Sequence, residues 1–120
     1  MGMIDKEVFA KEWIEVWNSH DLDRILSHYS DDIEITSPMI KTVMGIAEVT
    51  LRGKENVREY WETALKRVPD LHFELIGVTG GVNSAAICYT SVSGKTAVEV
   101  MFFNEENKIR KVIVHLTPAG

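Results

Sequence analysis

Three turn signals, at Gly80-Gly81, Ser93-Gly94 and Asn104 to Asn107, divide the C-terminal half into four segments rich in Val, Ile, Phe, Tyr and Thr. β-Branched and aromatic residues between Gly and Asn turns fit strands joined by short connections, so an antiparallel meander is expected there. The N-terminal half has a different period. After Asp5, a good N-cap, Lys6 to Asn18 sets Phe9, Ala10, Trp13, Ile14, Val16 and Trp17 on one arc, the mark of an amphipathic helix. Asp21 caps a shorter helical run with Leu22, Ile25, Leu26 and Tyr29 at helical spacing. The alternation Ile33 to Thr36 predicts a short strand stopped by Ser37-Pro38. Met39 to Thr50 has no clean period and is expected to be a loop holding one short strand before Gly53. From Lys54, the residues Val57, Trp61, Ala64, Leu65 and Val68 share one face of a third helix, which Pro69 ends.

Three helices cannot cover both faces of a long antiparallel sheet. The simplest α+β solution curls the sheet around one helical layer and leaves its other face for solvent or a partner. In Val98 to Phe103 both alternating sets are apolar, with Glu99 the sole exception, so both faces are expected to be buried. A second copy of the chain is the expected cover, giving a homodimer through the outer sheet face.

Composition narrows the function classes. With 120 residues and 45% hydrophobic content, a single domain over residues 1–120 can build a core without staples. A net charge of -5 with scattered Lys and Arg argues against nucleic acid as a partner. One cysteine, Cys88, excludes an internal disulfide and suits a reducing cytoplasm. No secretory pattern or membrane-length apolar run is read, and Lys6 stands where a myristoylation motif after Met1-Gly2 needs Ser or Thr. The four histidines show no metal-ligand spacing, so neither a metal nor a cofactor is expected. His115 is read as a structural residue, with a rim position as the rival.

Glu99 is the candidate catalytic residue. A carboxylate among Val98, Val100, Met101 and Phe103 is costly to bury unless hydrogen-bonded or neutralised. In an apolar cavity it would serve as a neutral donor to an oxyanion, or as an acid or base tuned toward neutrality. The plainer reading is a surface strand glutamate paired with Lys or Arg. If Ser93-Gly94 is a two-residue turn, Cys88 falls opposite Glu99, and an inert buried thiol is the favoured reading of it.

The runs Trp13-Ile14-Glu15-Val16-Trp17-Asn18-Ser19-His20-Asp21-Leu22-Asp23 and His28-Tyr29-Ser30-Asp31-Asp32-Ile33-Glu34-Ile35-Thr36-Ser37-Pro38 resemble the opening of the nuclear transport factor 2-like superfamily, notably its SnoaL-like and ketosteroid isomerase-like members. Arg52-Gly53-Lys54-Glu55-Asn56-Val57-Arg58-Glu59-Tyr60-Trp61 looks like its third-helix signature, and Val98 to Glu105 with Lys108-Ile109 like its closing hairpin. The resemblance implies a cone-shaped α+β barrel, a curved sheet around three helices with an internal pocket, usually dimeric. It implies little about activity, because one scaffold hosts many functions. By position, the isomerase's oxyanion-hole Asp falls on Glu99, its Tyr on Trp13 and its proton-shuttling Asp on Ser37. A lone serine is no general base and an indole N–H donates less strongly than a phenol, so these two positions depart from steroid isomerisation. The Arg and paired carboxylates of epoxide-opening members are not recognisable.

The expectation is a small-molecule-binding domain with an apolar pocket, acting as an isomerase, cyclase or hydrolase through Glu99. Its expected walls comprise Trp13, Trp17, Tyr29, Ser37, Met39 and Tyr60 from the first half, with Trp61, Met101, Phe103, Val112 and Val114 beyond. The alternative is a non-catalytic dimerisation or protein-interaction module.

Overall fold

The computed structural model describes residues 4–91 and 94–117; the readings at Met1-Gly2 and at Ser93 lie outside the described residues. The chain runs α1 (Lys6–Asn18), α2 (Leu22–Leu26), β1 (Tyr29–Thr36), α3 (Pro38–Met44), β2 (Thr50–Arg52), α4 (Lys54–Arg67), β3 (Glu74–Gly80), β4 (Ser84–Thr90), β5 (Thr96–Phe103) and β6 (Ile109–Leu116). Asp5 caps α1 by accepting from the Glu7 and Val8 amides, and Asp21 caps α2 through the Arg24 amide. Six strands form one curved, unclosed sheet in the order β2-β1-β6-β5-β4-β3. β3 to β6 make the antiparallel meander, while β1 pairs parallel with β6 and brings the first half of the chain to the last strand. Bulges in the β3–β4 and β5–β6 ladders bend the sheet around the helices.

On the inner face Ala97, Glu99, Met101 and Phe103 of β5 are buried beside Ala85, Ile87 and Tyr89 of β4. The opposite set, Val98, Val100 and Phe102, is half-exposed rather than buried. Burial of both faces is thus corrected for the chain by itself: helices cover one side alone.

Two further expectations are corrected. Ser37-Pro38 does not merely stop β1. The Ser37 hydroxyl accepts from the Met39 amide and Pro38 takes the first helical turn, so Met39 to Met44, expected as loop, completes a helix that Gly45 closes at φ 66°. Ile40 and Val43 anchor it in the core. The β4–β5 connection is also longer than two residues. Ser91 N–H donates to the Lys95 carbonyl, which sets Cys88 opposite Val98 and Ile87 opposite Glu99. Cys88 therefore lies on the outer face, away from Glu99.

The segment before β3 is stitched to the end of α1. Asn18 Nδ2 donates to the Phe73 carbonyl at 2.9 Å and its Oδ1 accepts from the Phe73 amide at 2.7 Å, while His20 Nε2 meets the Leu71 carbonyl at 2.6 Å. No helix among the described residues is long and apolar enough to cross a membrane.

Candidate functional site

A cavity of about 280 Å³ opens between α3, α4 and the inner face of the sheet. It exists because α4 presents Tyr60, Trp61 and Ala64 to a sheet that curves away, and because α3 and the stitched Leu71–Phe73 segment close the sides. Among the expected residues, Trp17, Ser37, Met39, Tyr60, Trp61 and Val114 border this space, and so does Glu99.

Trp13, Tyr29, Met101, Phe103 and Val112 are not on its wall. They are buried in the core beside it. Trp13 Nε1 donates to the Tyr29 hydroxyl at 2.9 Å, Met101 and Val112 face each other on the inner side of β5 and β6, and Phe103 meets Phe9 edge-on at 5.1 Å. His115 is exposed on the outer face opposite Val98, not at the rim.

Glu99 is 8% exposed. Tyr89 donates its hydroxyl to Glu99 Oε2, and the two side chains lie diagonally across the β4–β5 ladder. Burial pushes the Glu99 carboxyl up to about 7, against the pull of the Tyr89 hydrogen bond. The same burial raises Tyr60 to about 12, with the Ser37 hydroxyl opposing and the charge of Glu99 reinforcing. Tyr89 and Tyr29 are raised for the same reasons, burial first and Glu99 second. At neutral pH the site therefore holds neutral phenols around a carboxyl poised between its two states.

Trp17 Nε1 is buried without a hydrogen-bond partner; its indole acts on the Tyr29 hydroxyl without reaching hydrogen-bond geometry. Ser37 is spent as the α3 cap, so its oxygen is no free base. Among the described residues no three His, Cys, Asp or Glu side chains converge on a metal-sized site.

The sequence reading missed several wall residues. Thr42 and Val43 belong to the helix read as a loop, and Leu71 and Phe73 to the segment before β3. Ser91 and Ile35 come from strand ends, and Arg67 and Val68 from the end of α4. Val68 was visible on the apolar face of that helix. Tyr89 was missed through the register, since a two-residue turn puts Cys88 opposite Glu99 and turns Tyr89 to the other face.

Residues 10–110 match the model of the SnoaL-like domain. A SnoaL-like protein of unknown function from Burkholderia thailandensis E264 is 46% identical, with 93% of each chain covered and a TM-score of 0.88. At 18% identity the fold is shared with a proposed isomerase of the SnoaL-like family from Agrobacterium tumefaciens str. C58, with TM-score 0.76 over 97% of this chain and 100% of that one. It is also shared, at 18% identity and TM-score 0.71 over 92% of this chain and 89% of the other, with SalBIII, an epoxide hydrolase/cyclase-like enzyme in pyran ring formation in the polyether salinomycin. None of the curated proteins matches the chain.

Proposed function

The chain belongs to the SnoaL-like domain family, within the nuclear transport factor 2-like superfamily, and on that premise we propose that its cavity binds a small, largely apolar carbonyl compound on which Glu99 acts as acid and base. The observation that carries this reading is a buried carboxyl bordering an apolar cavity, with Oε2 held by Tyr89 and no protein partner at Oε1 among the described residues. A carboxyl near 7 is ionised in a large fraction of molecules at neutral pH and still basic enough to take a proton.

The reaction class is proton transfer next to a carbonyl. Glu99 Oε1 takes the proton from a carbon beside the carbonyl, the C–H electron pair moves into the enolate, and the oxygen gains negative charge. Tyr60, neutral at this pH and bordering the same cavity from α4, donates its O–H to that oxygen. Where a C=C bond adjoins that carbon the enolate is a dienolate, and return of the proton from Glu99 to its far carbon moves the double bond into conjugation and completes an isomerisation. Ring closure or opening would use the same acid/base group.

The outer face of the sheet, with Val98, Val100 and Ile113 half-exposed, is proposed to pair with a second copy. Sedimentation tests it: a dimer that Ile113→Glu dissociates supports the pairing, and a wild-type monomer contradicts it.

The binding reading is tested by thermal shift of the wild type and Glu99→Gln against apolar ketones, epoxides and polyketide-like aromatics, because a ligand of the folded state raises its melting temperature. A rise that Glu99→Gln weakens supports the reading. A panel in which no compound stabilises the wild type contradicts it and favours a non-catalytic interaction module.

A further inference from the structure

Two charged residues border the cavity, one buried and one exposed. Glu99 is buried on β5, whereas Arg67 is exposed at the last turn of α4. Tyr60, Ala64 and Arg67 all line the space from this one helix. Seven residues at about 1.5 Å rise separate Tyr60 from Arg67, so their backbone positions stand about 10 Å apart along one helix face, two turns from the phenol-bearing position to the guanidinium-bearing one.

Arg67 is also uncommitted. Arg52 pairs with Glu34, Arg58 with Asp23, and the neighbouring Lys66 with Glu62, but Arg67 enters no ion pair among the described residues. Among the described residues its hydrogen bond is one from Nη1 to the Thr42 carbonyl, 3.5 Å long. A planar guanidinium presents paired donors that match a carboxylate. The rest of the chain carries a net charge that repels anions, which makes a lone cation on an apolar rim a local exception.

Building on the ligand-binding reading above, we infer that Arg67 is a specificity residue that anchors a carboxylate at the outer end of the ligand. The substrate class is then a small oxo acid, with an apolar body between its ketone and its carboxylate on the scale of the two helical turns from Tyr60 to Arg67, on the order of 10 Å. The direction of entry follows. A carboxylate at the inner end would meet Glu99, a like charge in a desolvated site, so the acid end stays at the rim and the ketone goes inward.

Trp17 and Trp61 on the wall provide an intrinsic fluorescence readout. The probes are 8-oxononanoate and its neutral isostere 8-oxononanamide, titrated at low and high salt into the wild type, Arg67→Gln and Arg67→Lys. The acid is expected to bind the wild type about tenfold more tightly than the amide at low salt, with the advantage shrinking at high salt. Arg67→Gln should weaken the acid to the level of the amide and leave the amide unchanged, and Arg67→Lys should keep part of the advantage. Equal binding of acid and amide to the wild type, or equal weakening of both by Arg67→Gln, overturns the anchor while leaving the cavity reading standing. If neither probe quenches the tryptophans of the wild type, the cavity reading itself fails and the anchor falls with it.

Discussion

The Tyr89 hydroxyl donates to Glu99 Oε2 across the β4–β5 ladder, although Tyr89 stands opposite Ala97 and Glu99 opposite Ile87. The contact is a diagonal one on the inner face, within reach of a long side chain. It gives the buried carboxyl, which borders the cavity, one firm partner, and its other oxygen has no hydrogen bond among the described residues.

The Glu99 carboxyl makes stability depend on pH with a definite sign. Its ordinary value is 4.5, and burial followed by the opposing Tyr89 bond brings it to about 7. Between those values the unfolded chain has released the proton while the folded chain retains it, so the stability contributed by this group falls as pH rises through the window. Below about 4.5 the penalty is absent, and above about 7 it is complete. Glu99→Gln should therefore be more stable than the wild type at high pH, by on the order of 2–3 kcal/mol, with the gap closing as pH drops toward 4.5. Urea unfolding across that range reads the effect.

Tyr89→Phe removes the donor that holds the Glu99 carboxyl down. The midpoint of Glu99 titration should move above 7, and any activity limited by its ionised form should need a higher pH. The folded state should lose about 1–3 kcal/mol at high pH, where the carboxylate is left without its partner, and less at low pH. A pH–rate profile and paired unfolding curves separate the two effects.

Tyr29→Phe should behave as a structural change. It strands Trp13 Nε1, which donates to the Tyr29 hydroxyl, beside the already unpartnered Trp17 Nε1. The expected cost is about 1–3 kcal/mol, with the pH window set by Glu99 unmoved. Denaturant midpoints at low and high pH check both parts, and a shift of the window would show Tyr29 to be wired into the titrating site.

Where the signal was local, the sequence was enough. Asp5 and Asp21 announce α1 and α2 because a cap is one side chain bonding amides two or three residues on, and Val57 to Val68 announce α4 by spacing alone. Glu99 stood out because a lone carboxylate breaks an apolar strand. The helix at Pro38 was hidden because Ser-Pro serves equally to end a strand and to start a helix, and Ile40 and Val43 offer too short a run to decide. The parallel pairing of β1 with β6 joins residues some eighty positions apart, and no local pattern encodes it. Tyr89 was out of reach for a related reason: one residue of loop length in the β4–β5 connection moves every β4 side chain to the other face, so that Cys88 in place of Ile87 stands opposite Glu99 and Tyr89 points away from it.

The most direct test of the account is a carbon-13 NMR titration of the glutamate side-chain carboxyls, with Glu99 assigned by its loss in Glu99→Gln, run with and without a ketone ligand that stabilises the wild type. A Glu99 signal with a midpoint near 7 that shifts when the ligand binds is the predicted result. A midpoint at the ordinary 4.5, unmoved by ligand, would contradict the claim that this carboxyl is a proton-exchanging group in a ligand cavity.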